Sequence, residues 1–331
     1  MSASPTFSFA STADDVATAF AAEIRGKNVL VTGTSLNGIG YETALAIAKH
    51  ASLVTITGYN ADRLKLTAEA IKKAVPAANI RRMILDLSSL AAIRQATDDF
   101  NADPRPIHVL IHNAAAAIGP FKLTVDGLEN QFGTDHVGPF LLTKLLAPKL
   151  IAATTPSYTP RVIFVASAAH AFGTGIDFAS LEHQDVTKYN PSLAYFQAKS
   201  ANILTAIELS KRSKGAINAY SLHPGVIFTN MTQKEESVTE LQALGMLGPD
   251  GQPNREKFEW KTIAQGAATT VVAAFDPRLN DKPGAYLNDG AVATESVAPH
   301  SSDPVVAEKL WAVTEKIIGE DFEFNSGVAL L

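Results

Sequence analysis

The sequence predicts an α/β fold, a single doubly wound domain around a central parallel sheet of about seven strands. Two observations predict it. Short, near-continuous apolar runs recur along the chain, as in strands covered on both faces, and longer segments of helical apolar spacing separate them. No Pro/Gly/Ser linker, repeat or low-complexity tract interrupts the alternation, so one domain is read over residues 25–295, with an N-terminal extension (1–24) and a C-terminal tail (296–331).

The predicted strands are "NVLVT" (28–32), "LVTIT" (53–57), "RRMILDL" (81–87), "HVLIHN" (108–113), "RVIFVA" (161–166) and "NAYSLH" (218–223). Helical patterns begin near Gly40, Asp62, Ser89, Asp126 and Pro191. Ahead of them, "STADDVATAFAAEI" has helical spacing and Ser11 or Thr12 as a cap, which predicts a helix packed on the domain.

Composition removes several function classes. A net charge of −5 without like-charge runs leaves no electrostatic footprint for nucleic acid or an anionic membrane surface. The lack of cysteine excludes disulfides and thiolate chemistry, and His112, His136, His170 and His223 lack metal-ligand spacing, so no metal is assigned. "FLLTKLLAPKLIAA" from Phe140 is interrupted by Lys144, Pro148 and Lys149 and is too short to span a bilayer. Asp14, Asp15 and Glu23 stand where a transit peptide avoids acids, so a cytoplasmic protein is expected.

The first strand runs into "VTGTSLNGIGYETALAIAKH". Gly33, Gly38 and Gly40 sit between strand and helix, where missing β-carbons let backbone amides approach a pyrophosphate at the helix N-terminus. Thr34, Ser35, Asn37 and Ile39 complete this candidate cradle. Glycines at such a corner also serve close packing. Position favours the dinucleotide, because this is the first βα unit of a doubly wound pattern, and it makes the fold Rossmann-type.

"PSLAYFQAKSANIL" (191–204) places Tyr195 and Lys199 one helical turn apart on one face, with Leu193, Phe196, Ile203, Leu204 and Ile207 as a separate core-facing stripe. An alkoxide formed by hydride transfer must gain a proton, and a phenol supplies it near neutral pH if a cation loosens that proton. At ~4 Å and an effective dielectric of ~20 such a charge is worth about 4 kcal/mol. The alternative is an ordinary amphipathic helix with a half-buried tyrosine and a solvated lysine.

Taken in order, "TGTSLNGIG", "LDLSSL", "HNAA", "FVASAAH", "YFQAK" and "HPGVIFT" resemble the motifs of the short-chain dehydrogenase/reductases. "ENQFGTDHVGPFLLT", "KTIAQGAATTVVAA" and "GAYLNDG" are similar to phrases of the retinol-dehydrogenase-like and WW-domain-oxidoreductase-like branch. The resemblance spans residues 10–295. It implies an oxidoreductase using NAD(P)(H), with Tyr195 as acid/base, Lys199 as its tuner and ribose ligand, and Ser167 orienting the substrate carbonyl. It places Asp86 and Leu87 at the adenine, Asn113 and Ala114 near the cofactor ribose, and Pro224, Gly225, Val226 and Thr229 at the carboxamide or a phosphate. A strand-corner role for Asn113 and a turn or cap role for Asp86 fit the same residues. The resemblance also implies a homodimer or tetramer through helices flanking the sheet.

Three departures from the family pattern stand out. Four residues, 34–37, separate Gly33 from Gly38 where most relatives have three, and Asn37 suits a left-handed conformation that absorbs the extra residue. Asp135 replaces an asparagine that braces the active-site lysine; it either opposes the pull of Lys199 on Tyr195 or holds the lysine by direct pairing, and is counted with the catalytic set. At the exit of the second strand, Tyr59 and Asn60 stand where an acid selects NAD, and with Arg63 they favour NADP(H). Acceptance of NAD(H) is the alternative, with Tyr59 merely stacking on the adenine.

Alternation lapses over residues 230–261, where Met231, Leu241, Leu244, Met246, Leu247, Phe258 and Trp260 make either an apolar lid over a hydrophobic substrate or a self-packing surface helix. The expectation is an NADP(H)-favouring enzyme interconverting a ketone or aldehyde with its alcohol. A catalytically weak dinucleotide-binding sensor or scaffold is the competing class.

Overall fold

The computed structural model describes residues 5–324. Helices α1 (Ala13–Ala19) and α2 (Ala21–Ile24) precede β1 (Asn28–Val31), α3 (Ile39–Ala48), β2 (Leu53–Gly58), α4 (Ala61–Ala74), β3 (Ile80–Ile84), α5 (Leu90–Asn101) and β4 (Val109–His112). A short helix α6 (Asn130–Phe132) passes through a π-helical turn (Gly133–Val137) into α7 (Gly138–Ile151). Then come β5 (Arg161–Val165), α8 (Phe178–Glu182), α9 (Pro191–Arg212), β6 (Asn218–His223), β7 (Val226–Ile227), α10 (Glu235–Ala243), β8 (Trp260–Lys261), α11 (Ile263–Phe275), β9 (Tyr286–Asn288), β10 (Ala291–Val292) and α12 (Pro304–Ile318).

The main sheet has eight strands in the order β10-β9-β6-β5-β4-β1-β2-β3, parallel except for the β9/β10 pair. Strand order reverses at β1, whose two neighbours are β2 and β4, and a doubly wound sheet opens a crevice at such a point. Val29, Val31, Val109, Ile111, Ile163 and Val165 face one apolar cluster with α1, α3 and α11. Leu30, Leu110, Val162 and Phe164 face a second with α5, α7, α9 and α12. Burial of both faces explains why these strands read as unbroken apolar runs.

Local chemistry sets the helix starts. Thr12 and Asp15 form a capping box on α1, and Asn60, Ser89 and Asn190 accept backbone N–H bonds at α4, α5 and α9. Asp126 does not open a helix; its carboxylate accepts the Leu90 N–H at 2.9 Å, and the helix begins later, at Asn130. Residues 297–324 are no loose tail; the rest of the expected C-terminal tail lies outside the described residues. Asp303 caps α12, and Ala307, Leu310, Trp311, Thr314 and Ile318 bury one stripe of it, with Trp311 edge-on to Phe140 at 4.7 Å. The core-facing stripe of α9 needs correction at its start: Leu193 is exposed beside a surface cavity and Phe196 is half-buried against the exposed Phe172, because the buried face of α9 starts only at Ala198.

Candidate active site

The glycine turn packs tightly on the exit of β4. Gly33 has φ 69°, and a β-carbon there would stand 2.6 Å from Ala114 Cα, so both its conformation and its contact require glycine. A β-carbon on Gly40 would fall 2.4 Å from Asn113 Nδ2. Asn113 is the corner brace: its Nδ2 donates to the carbonyls of Thr32 and Gly33 at 3.0 Å. Asn37 has φ 59°, and Asn230 grips the lengthened loop, donating from Nδ2 to Leu36 O (3.1 Å) and from its backbone N–H to Asn37 O (3.3 Å).

Above this turn lies a cavity of about 400 Å³. Of the predicted cofactor residues, Gly33, Ser35, Gly38, Ile39, Tyr59, Asn60, Arg63, Asp86, Leu87, Asn113, Ala114 and Thr229 line it. Thr34, Asn37, Gly40, Pro224, Gly225, Val226, Tyr195 and Lys199 are not among its lining residues. Thr34 turns inward, donating from Oγ1 to Thr57 O at 3.1 Å. Gly225, at φ 103°, lies over Lys261, whose Cδ would be 2.6 Å from an added β-carbon. Asp86 folds one oxygen onto Ser88 (N 2.9 Å, Oγ 2.6 Å), leaving Oδ2 for a ligand amine. Asn60 spends its Oδ1 on the Arg63 N–H, whereas the Arg63 guanidinium has no ion-pair partner among the described residues. Thr57, Ser88, Asn230, Met231 and Lys234 also line the cleft and were missed. Thr57 and Ser88 neighbour motif residues and were readable by proximity; the other three arrive from residues 230–234 through the tertiary fold alone.

Asn190 caps α9 with Pro191 in its first turn, and Tyr195 and Lys199 follow one helical turn apart on one face. Lys199 is 3% exposed, its Nζ 5.3 Å from the Tyr195 ring centroid and 2.9 Å from Asp135 Oδ2. Asp135 accepts the Ala116 N–H on its other oxygen at 2.6 Å. The π-helical turn carries it there, an irregularity typical of functional positions. Burial works to depress the Lys199 pKa, but Asp135 and Tyr195 outweigh it, and the net shift is upward. The lysine is therefore held as a cation, and the direct Asp135 pairing is the arrangement adopted.

Ser167 ends the β5 strand run and caps the short 3₁₀ turn Ala168–Phe172, accepting the Ala169 N–H at 3.1 Å. Tyr195 packs against a cluster of Ile118, Leu241, Leu247 and Trp260, joined by Met246 and Phe258. Segment 230–261 thus lays its apolar residues on the tyrosine, apart from Leu244, which is exposed, and Met231, which faces the dinucleotide cleft. A second cavity of about 400 Å³ lies beside the first turn of α9, includes Leu193, and touches none of the predicted site residues. The histidines serve the core: His112 bonds Thr143, His136 bonds Thr314, and burial pushes each pKa down to about 3, while His223 Nδ1 is buried without a partner.

A glycine turn at the switch point and a buried Lys199–Asp135 pair beside the half-buried Tyr195 make the arrangement expected of a dinucleotide-binding oxidoreductase. Residues 27–177 match the family model described as short chain dehydrogenase. The chain is 34% identical over 316 residues to short-chain dehydrogenase TIC 32 A, chloroplastic, of Brassica napus, covering 93% of each. It is 33% identical to human retinol dehydrogenase 11, over 90% of this chain and 87% of that one. The structure of an uncharacterised protein from Mycobacterium paratuberculosis superposes with a TM-score of 0.67 at 27% identity, covering 92% of this chain and 98% of that one. The chain belongs to the short-chain dehydrogenase/reductase family and is an oxidoreductase of its retinol-dehydrogenase-like branch. No helix among the described residues is long and apolar enough to cross a membrane.

Proposed function

We propose that this enzyme interconverts a lipophilic ketone or aldehyde with its alcohol, using NADP(H), with Tyr195 as the acid/base. The observation that carries it is the buried Lys199–Asp135 pair beside Tyr195, tied to the glycine cleft through the Ala116 N–H that Asp135 accepts. The residues present fit a dinucleotide: glycines whose β-carbons would clash mark the cradle, the N-terminus of α3 supplies amides for the pyrophosphate, and Asp86 Oδ2 is open to an adenine amine. When bound, the nicotinamide would deliver or accept the hydride.

The chain's own residues do the rest. Ser167 Oγ orients the carbonyl oxygen, and the Tyr195 hydroxyl passes it a proton as negative charge develops there. Lys199, kept cationic by Asp135, stabilises the negative charge left on the phenolic oxygen. Ile118, Leu241, Leu247 and Trp260 exclude water and give the substrate an apolar wall, which agrees with a lipophilic class and with the name of the retinol dehydrogenase relative.

Arg63 supports the cofactor preference, because a guanidinium in the first turn of α4, lining the cleft and without an ion-pair partner among the described residues, suits a 2′-phosphate. Calorimetric titration with NADPH and NADH tests it. Tighter NADPH binding that Arg63→Ala lowers by roughly 10-fold, with NADH unaffected, is the expected result. Equal loss for both cofactors would assign Arg63 elsewhere. Tight cofactor binding without turnover on any lipophilic carbonyl would favour the sensor reading.

A further inference from the structure

Immediately after Ser167, a buried histidine ties three parts of the chain together. His170 is 2% exposed, and its Nδ1–H donates to the Ser167 carbonyl at 2.7 Å. Its Nε2 accepts the Ala298 N–H at 3.2 Å, so the ring is neutral with a defined tautomer. Burial, which pushes its pKa below the ordinary histidine value despite the Ser167 carbonyl, keeps it so. The His170 carbonyl accepts from His300 Nε2 at 2.9 Å, and the ring stands edge-on to Tyr286 at 5.4 Å. Ser301 Oγ reaches Ser200, the neighbour of Lys199, at 2.9 Å.

Both ring nitrogens are thus committed, one to the backbone of the candidate catalytic serine and the other to a segment past the last strand. We propose that His170 is a positioning residue that holds Ser167 in register with Tyr195, and that residues 298–301 form the back wall of the active site through it. This rests on the assignment of Ser167 as the carbonyl orienter. Ser167 follows a strand end; its side chain holds only the Ala169 N–H and its carbonyl also accepts the His170 backbone N–H at 3.2 Å, so the imidazole is the shorter of two bonds on that carbonyl and the one that ties it to residues 298–301. A shift of about 1 Å at such a group costs up to ~100-fold in rate.

The two nitrogens can be tested separately, because an asparagine amide reaches the Nδ1 position and a glutamine amide the Nε2 position. With NADPH and a lipophilic ketone, His170→Gln, which keeps the Ala298 partner but loses the bond to Ser167, is expected to lower kcat by roughly 10-fold to 100-fold with KM and NADPH affinity unchanged. His170→Asn, which keeps the Ser167 bond, should stay within about 3-fold of the wild type. In a Ser167→Ala background His170→Gln should cost nothing further, because its effect acts through the serine. Equal losses in the Gln and Asn variants, tracking their thermal stability, would overturn the positioning role and leave a structural brace. If Ser167→Ala alone keeps full turnover, the assignment of Ser167 itself has failed, and the positioning role falls with it.

Discussion

A lysine as buried as Lys199 keeps its proton only beside a partner that offsets the lost hydration, and Asp135 is that partner. The raised Lys199 value means that this lysine's own contribution to stability is complete below the ordinary lysine value of 10.5 and is lost as pH climbs through the higher folded value, whereas burial pushes the Asp135 carboxyl up against the pull of Lys199. Asp135→Asn removes the counterion from a buried cation and is expected to cost about 3 kcal/mol in urea unfolding. Turnover in the same variant is expected to fall, since Lys199 loses the carboxylate that keeps it cationic beside Tyr195. Turnover that holds or rises in the folded variant would show that the carboxylate instead opposes the pull of Lys199 on Tyr195. The Tyr195/Lys199 spacing was legible because one helix carries both residues, and the Asp135 departure was visible in its motif. Whether the two charges touch across 64 positions stayed open between two readings, because only the packing of the π-helical turn Gly133–Val137 against α9 decides it.

Among the elements, the first turn and the last helix show opposite degrees of legibility. The glycine turn announced its place by residue type, and the left-handed Asn37 follows from the extra residue. Gly33→Ala is expected to abolish measurable cofactor binding, because the new β-carbon meets backbone atoms of Ala114 that cannot swing aside. Calorimetry checks this, and binding within about 3-fold of the wild type would show that the turn is not the cradle. Helix α12 carried a readable period in Ala307, Leu310, Trp311, Thr314 and Ile318, yet it lies outside the alternating pattern that drew the domain limits. Trp311→Ala should destabilise the whole domain by about 3–5 kcal/mol in denaturant unfolding, the usual cost of emptying a buried tryptophan site. Strand β9 is only three residues long, too short for any periodicity to register.

The molecule as a whole reads as a switch-point enzyme. The β1/β4 crevice holds the proposed dinucleotide cleft, Asp135 joins it to Lys199 through Ala116, and segment 230–261 packs on Tyr195. The alternation of apolar runs and helical patterns made this topology legible, whereas the contact of residues 298–301 with the serine turn depends on where the chain returns after its last strand. His112 and His136, neutral in the core at a pKa of about 3, bind protons far more readily when unfolded, near the ordinary 6.5. Their depressed values give stability that is complete above about pH 6.5 and drains as pH falls toward about 3, at about 1.4 kcal/mol per pH unit for each. A urea midpoint that does not drop between pH 6 and pH 4 would contradict this.

The central claim is proton transfer at Tyr195, and the most direct measurement is NADPH consumption by wild type and Tyr195→Phe against lipophilic ketones, quinones and aldehydes. The phenylalanine variant should bind NADPH as the wild type does and turn over at least ~100-fold more slowly. Undiminished turnover by that variant would contradict the assignment of Tyr195 as the acid/base.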